Sequence, residues 1–140
     1  GCGTITIPLL LKKYKIHAFE INHETLEAIN IAAKKYGLSN NVVTKNRNLK
    51  TTPLNPEELT KYDAIIIDPP RSGAHLQFSN IATSKVPIVV SISCNINTFI
   101  RDSKSLIENN YVLKWVQPID QFLFSSHVEL VGLFEIRKCD

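Results

Sequence analysis

The chain has 140 residues, 44% of them hydrophobic and 21% charged, with a mean hydropathy of −0.03. That balance excludes an intrinsically disordered chain, and the length corresponds to about one domain built on one core. No apolar run approaches the ~20 residues that cross a bilayer, so no membrane partner is expected. Three cysteines, Cys2, Cys94 and Cys139, lie far apart without a CxxC pair; they suggest neither a disulfide framework nor a metal site and make the cytoplasm the default. The formal charge of +3, with clusters at Lys12, Lys13, Lys15 and at Lys45, Arg47, Lys50, permits a nucleic-acid partner without demanding one.

Apolar spacing alternates between periods of about 2 and about 3.6, the pattern of strands interleaved with helices and hence of a parallel α/β sheet. The chain opens with Gly1-Cys2-Gly3-Thr4 leading straight into a helix predicted over Thr4 to Tyr14. Ile16 to Ile21 reads as a strand. Asn22 caps a helix in which Leu26, Ile29, Ala33 and Tyr36 recur at helical spacing, and Gly37 is placed to end it. A short strand is expected over Asn41 to Lys45 and a loop over Thr51 to Pro56. Tyr62 to Ile67 is a continuous apolar run of the kind buried on both faces, stopped by Asp68-Pro69-Pro70. A weaker helix follows over Ala74 to Ala82, and then a second buried strand over Pro87 to Ser91. Thr98 to Asn109 is helical, capped by Asn97 or Thr98, and Tyr111 to Val116 and Val128 to Ile136 are closing strands.

In a doubly wound fold, a glycine turn ahead of the first helix follows the first, central strand. Here no strand precedes it, so the chain is expected to be the C-terminal part of something longer, a single domain over residues 1–140 truncated at its N-terminus.

Four places carry chemistry. Gly1-x-Gly3 opening a helix, with Glu20 seventeen residues after Gly3 at a strand end, fits a nucleotide-type site: glycines let the backbone approach the ligand, and the carboxylate accepts from ribose hydroxyls. The third glycine of a dinucleotide fingerprint would fall at Thr6, which favours S-adenosylmethionine over a pyrophosphate-bearing cofactor. Asp68-Pro69-Pro70-Arg71 ends a buried strand where open α/β sheets bind ligands, on a backbone that two prolines stiffen. Ser93-Cys94-Asn95 lies between a strand and a helix N-terminus, where the dipole favours a thiolate; the bland alternative is a small buried hydrophobe. His127-Val128-Glu129 opens the last strand after Phe122, Phe124, Ser125 and Ser126. A thiol-protease pair of Cys94 with His127 lacks an oxyanion element and a third member. His17, His23 and His75 read as ordinary surface or strand histidines.

Taken together, GCGTITIPL, the AFEIN strand end, NRNL at 46–49, DPPRSG at 68–73, SCNxxTxxRD at 93–102 and PIDQFxxxxHVE at 118–129 resemble the RNA (uracil-5-)-methyltransferases. The resemblance covers essentially the whole chain. It implies a Rossmann-like, S-adenosylmethionine-dependent methyltransferase sheet, with RNA, ribosomal ahead of transfer, as partner. Carried over position by position, it implies Cys94 as nucleophile and Glu129 as base, with Gly3, Thr4, Glu20, Asn48 and Asp68 at the cofactor. Ile96 departs from the family's usual proline after the SCN triplet, which is expected to loosen the turn carrying Cys94.

The resemblance further implies that the upstream RNA-binding parts and the first core strand are absent. The strands ending at Glu20 and Asp68 are then expected either to pair directly or to be compensated by a second copy in a homo-oligomer, with weak cofactor binding by the isolated chain. Two rival readings are a non-catalytic remnant of such an enzyme and an amino-directed methyltransferase using the DPP turn, the latter leaving Cys94 and Glu129 without roles.

Overall fold

The computed structural model describes residues 1–120 and 128–137. Phe122, Phe124, Ser125, Ser126, His127 and Cys139 lie outside the described residues. The chain divides into two compact units, Gly1–Thr52 and Pro53–Asp140.

The first unit contains α1 (Thr6–Leu11), β1 (Ile16–Glu20), α2 (His23–Lys35) and β2 (Val42–Asn46), with β1 and β2 parallel. Asn22 starts α2 by accepting the Thr25 N–H at 3.3 Å, Lys34 and Lys35 in its last turn complement the helix dipole, and Gly37 at φ +68 supplies the left-handed exit. Leu26, Ile29 and Ala33 form its buried stripe, joined by Leu10 of α1. The first helix is shorter than predicted. Lys13 turns left-handed at φ +64 and donates its N–H back to Leu10 O at 2.7 Å, which closes the helix there although the apolar pattern continues.

The second unit contains α3 (Pro56–Leu59), β3 (Ala64–Ile67), α4 (His75–Ser84), β4 (Ile88–Ser93), α5 (Ile96–Glu108), β5 (Tyr111–Ile119) and β6 (Glu129–Ile136). Its sheet runs β3-β4-β6-β5. The first pair is parallel and the other two antiparallel, so the sheet is mixed rather than wholly parallel. β1 and β3, whose direct pairing was one of the two expectations, belong to different sheets. The predicted loop at 51–56 ends in a helix that sequence reading missed: Asn55 and Glu58 form a capping box on Pro56–Leu59.

Burial on both faces of the two apolar strands is corrected. Val89, Ser91 and Ser93 of β4 are buried, but Ile66 is 40% and Ile88 38% exposed. A helix of this unit, α5, packs on one face only, through Phe99 against Phe134 with ring centroids 6.1 Å apart; an apolar run shows that both faces tolerate burial, not that both are covered. Tyr111 closes the far end of the core, its phenol donating to Val86 O at 2.7 Å, and burial pushes its pKa up to about 12.

Charge divides unevenly between the units. Residues 1–52 carry eight Lys and Arg against three Glu, and residues 53–140 carry eight against ten acidic residues. The first unit is therefore at +5 and the second at −2, which together give the net +3. Among the described residues no helix is long and apolar enough to cross a membrane.

Gly132 of β6 lies under the Phe99 ring, where an added Cβ would come within 2.7 Å of Phe99 Cζ and 3.2 Å of Phe134 Cε2. Gly132→Ala is expected to force these rings apart and destabilise the chain by roughly 1–3 kcal/mol, measured by urea unfolding.

Candidate active site

β3 and β4 run parallel toward one edge, β4 reaching two residues further, and β6 runs the opposite way, so its first residue arrives at that edge. Ser93 pairs with Leu130; the next position on each strand is Cys94 and Glu129. Glu129 is itself paired with Ile119 of β5. On the other side Ile67 pairs with Ser91, so Asp68 is level with Ile92, two residues or roughly 7 Å short of Cys94 along the strand direction. Cys94 and Glu129 are half-buried and Asp68 is exposed. Even so, burial at the strand end pushes the Asp68 carboxyl above its ordinary value. Among the described residues no cluster of ligands could hold a metal ion.

The turns that carry Asp68 and Cys94 are one hydrogen-bonded unit. Asn95, not Asn97 or Thr98 as predicted, caps α5: its Oδ1 accepts the N–H of Asn97 at 2.9 Å and of Thr98 at 3.4 Å. Its Nδ2 donates to the carbonyl of Arg71 at 3.3 Å, as does Thr98 Oγ1, also at 3.3 Å. Ser93 Oγ donates to Asn95 O at 3.1 Å and accepts the Asn95 N–H at 3.3 Å, bracketing Cys94 on both sides.

One turn along α5, Asp102 is 1% exposed. Its Oδ2 accepts the Ala74 N–H at 2.8 Å, and its Oδ1 takes the Arg101 guanidinium at 2.7 and 2.8 Å. Arg101 Nη2 also donates to Ser72 O at 2.9 Å. α4 has no side-chain cap of its own, so the carboxylate at its start comes from α5. Between these groups runs Gly73, at φ +75, where a Cβ would collide with Arg101 Nη2 and Asp102 Oδ2.

In the first unit, Gly3 is buried at φ +102, and a Cβ there would meet Ile7 and Ile29. Thr4 is exposed beside it. The Glu20 carboxylate accepts the N–H groups of Ile21 at 2.7 Å and Asn22 at 3.2 Å through Oε1, while Oε2 contacts the Gly1 nitrogen. The Gly1 amino group, reinforced by those two N–H groups and opposed by burial, holds Glu20 below its ordinary value. Asn48 organises the turn after β2: its Oδ1 accepts the Lys50 N–H at 3.0 Å and its carbonyl the Thr52 N–H at 2.8 Å. That turn is joined to the end of β1 through Arg47 N–H to Glu20 O at 2.9 Å.

Cys94, Glu129 and Asp68 thus share one edge of the second unit's sheet, and Gly3, Thr4, Glu20 and Asn48 lie in the first unit. Sequence reading gave Thr98 only the role of a candidate cap and gave none to Asn95, Arg101, Asp102 and Gly73 beyond their place in the matched segments. The signal was present: Asn95, Thr98 and Asp102 recur at spacings of three and four, one face of a helix.

Residues 1–138 match the family model described as tRNA (uracil-5-)-methyltransferase. The chain belongs to this family. Uncharacterised RNA methyltransferases of Mesorhizobium japonicum and Zymomonas mobilis are 42% and 40% identical to it, each across 96% of the chain. The chain spans about a third of their length, 32% and 33%. The tRNA (uracil-54, C5)-methyltransferase of Pyrococcus abyssi, solved with S-adenosyl-L-homocysteine, superposes with a TM-score of 0.80 at 26% identity, over 96% of this chain and 32% of that one. A putative methyltransferase of Thermoplasma acidophilum, at 15% identity and a TM-score of 0.71 over 99% of this chain and 65% of that one, shares the fold. The sheet is accordingly of the Rossmann-like methyltransferase class.

Two outcomes test this geometry. Ile96, the residue after the Ser93-Cys94-Asn95 triplet, is the first residue of α5 and follows an extended Asn95 at φ −143 and ψ 114. At that position a proline loses no helix hydrogen bond. Ile96→Pro is therefore expected to stabilise the chain by about 0.4–1 kcal/mol in urea melts. Asp68 has a folded pKa above its unfolded one, so its charge opposes folding once the pH exceeds the folded pKa and costs nothing below the unfolded one. Asp68→Asn should be the more stable protein at neutral pH, with the difference vanishing as the pH falls below that of a free aspartate.

Proposed function

We propose that the protein carrying this chain methylates C5 of a uridine in RNA, with Cys94 as nucleophile and Glu129 as base. The observation that carries the reading is the β4–β6 register, whose last pair, Ser93 with Leu130, is adjoined by Cys94 just past the end of β4 and by Glu129 at the start of β6, although 35 residues separate them in sequence. C5 of uracil is a poor nucleophile until something adds to C6. The Cys94 sulfur forms a bond to C6, and the displaced π electrons move toward the C4 carbonyl, leaving C5 electron-rich. Once C5 bears the methyl group, Glu129 removes the C5 proton; the released electron pair re-forms the C5–C6 double bond and expels the Cys94 thiolate.

S-adenosylmethionine, when bound, supplies the electrophilic methyl group. The residues of the first unit fit such a ligand. Gly3, left-handed and with Ile7 and Ile29 filling the space of a Cβ, shapes the turn into α1; Thr4 stands exposed next to it; and Glu20, whose Oε1 takes two main-chain N–H groups and whose Oε2 contacts the Gly1 nitrogen, is a carboxylate at a strand end of the kind that accepts from ribose hydroxyls. Asn48 fixes the turn beside the end of β1. For Asp68 the family resemblance gives a role toward the same cofactor. A base stacked in a duplex cannot reach a thiol at a strand end, so the target uridine must be flipped out or lie in a loop.

Glu129→Gln in the full-length protein is expected to let the Cys94 adduct form but stall its breakdown, so that methylated RNA accumulates as a denaturation-resistant band. Cys94→Ala should abolish both the band and turnover. Intact RNA binding with no band in Glu129→Gln argues against Glu129 as the base, and a wild-type protein that binds RNA without turning over is the outcome expected of a non-catalytic remnant.

A further inference from the structure

Resting on the reading of Cys94 as nucleophile, we propose that Asn95 and Asp102 are positioning residues: together they fix the Cys94 turn against the turn at residues 68–74, and so set where the thiol stands relative to the strand edge. Among the described residues Cys94 makes no hydrogen bond that could aim it. What holds it is its neighbours, Ser93 and Asn95, closed on each other by two hydrogen bonds. Asn95 works in two directions at once. Its oxygen caps α5 and its nitrogen grips the carbonyl of Arg71. A residue that only capped the helix would need the oxygen alone.

Asp102 fixes the other end of the same turn. Its carboxylate receives Ala74 N–H directly and reaches Ser72 O through Arg101. Arg71, Ser72 and Ala74 are therefore each held by α5, and Gly73 leaves no room for the turn to shift toward the helix. Asp68 lies three residues before Arg71, across two prolines that allow little adjustment. The first turns of α5 thus act as a jig that fixes the nucleophile's turn and the Asp68 turn to one helix. Misplacement of a reacting group by about 1 Å can cost on the order of 100-fold in rate, which is the scale on which such a jig matters.

The variants that separate positioning from stability are Asn95→Asp and Thr98→Val, measured in the full-length protein with an RNA substrate. Aspartate caps a helix as well as asparagine does, so Asn95→Asp keeps α5 but removes the donor to Arg71 O. Thr98→Val removes the second donor, and Thr98→Ser restores it.

The expected result is a fall of about 10- to 100-fold in the single-turnover rate of Cys94–RNA adduct formation in Asn95→Asp and Thr98→Val. KM for RNA, affinity for S-adenosylmethionine and the melting temperature should stay near wild type, and Thr98→Ser should recover the rate. Asp102→Asn, which keeps an acceptor for Ala74 N–H but loses the charge that holds Arg101, should show the same loss of rate. Wild-type adduct rates in Asn95→Asp and Thr98→Val overturn the proposal. A melting temperature that falls in step with the rate in those two variants overturns it too, because the network is then merely structural; Asp102→Asn is judged on rate alone, since breaking a buried ion pair also costs stability. A wild-type protein that forms no adduct at Cys94 overturns instead the reading on which the proposal rests.

Discussion

A single buried carboxylate organises the half of the chain that bears Cys94. A charge taken out of water is tolerated only when its lone pairs are used, and breaking such a pair typically costs about 3–5 kcal/mol. Asp102 meets that condition by accepting from Ala74 and from both nitrogens of the Arg101 fork. In doing so it starts α4, which has no cap of its own, and ties the 70–74 turn to α5. The left-handed Gly73 follows from the same constraint, because any side chain there would occupy the space the ion pair fills. The DPPRSG and SCNxxTxxRD segments are two halves of one hydrogen-bonded object.

Strand direction then decides which residues meet. In a parallel pair the C-terminal ends lie on one edge, which is where α/β sheets place their ligands. β3 and β4 obey this and deliver Asp68 and Cys94. β6 is antiparallel to β4, so it delivers its N-terminal residue, Glu129, to that edge. Had β6 been parallel, the same sequence would have put Glu129 at the opposite end of the sheet. The mixed topology is thus a requirement of pairing a thiol after one strand with a carboxylate before another.

What was legible in the sequence was what is local. Asn22 and Gly37 bound α2 as expected because a cap acts within one turn of its own residue. β1, β4, β5 and β6 were readable from apolar runs, as was the order of the chemistry-bearing turns. The end of α1 was not, since the left-handed turn at Lys13 has no glycine to announce it. Nor was α3, a four-residue helix whose capping box is visible in Asn55 and Glu58 but too short to generate a period. The burial of β3 was misjudged because composition reports affinity for an interior and not the number of helices available to cover a face. Asp102 was invisible for a related reason: an aspartate in mid-helix reads as solvated until its partners, 28 residues away at Ala74, are brought to it.

The uneven partition of charge separates two quantities that a net +3 runs together. Within this chain the positive excess lies in residues 1–52, while residues 53–140, which hold Cys94, Glu129 and Asp68, are net acidic. Salt screens the long-range field of that excess beyond about 8–10 Å, but barely touches a buried pair such as Arg101 and Asp102. On the proposed function, this chain's contributions to capture and to chemistry answer to different parts of its sequence. For the proposed RNA substrate, exchanging an exposed lysine in the first unit would alter the encounter rate and its dependence on ionic strength, whereas the order within the Cys94 turn is set by short contacts that the surrounding electrolyte does not reach.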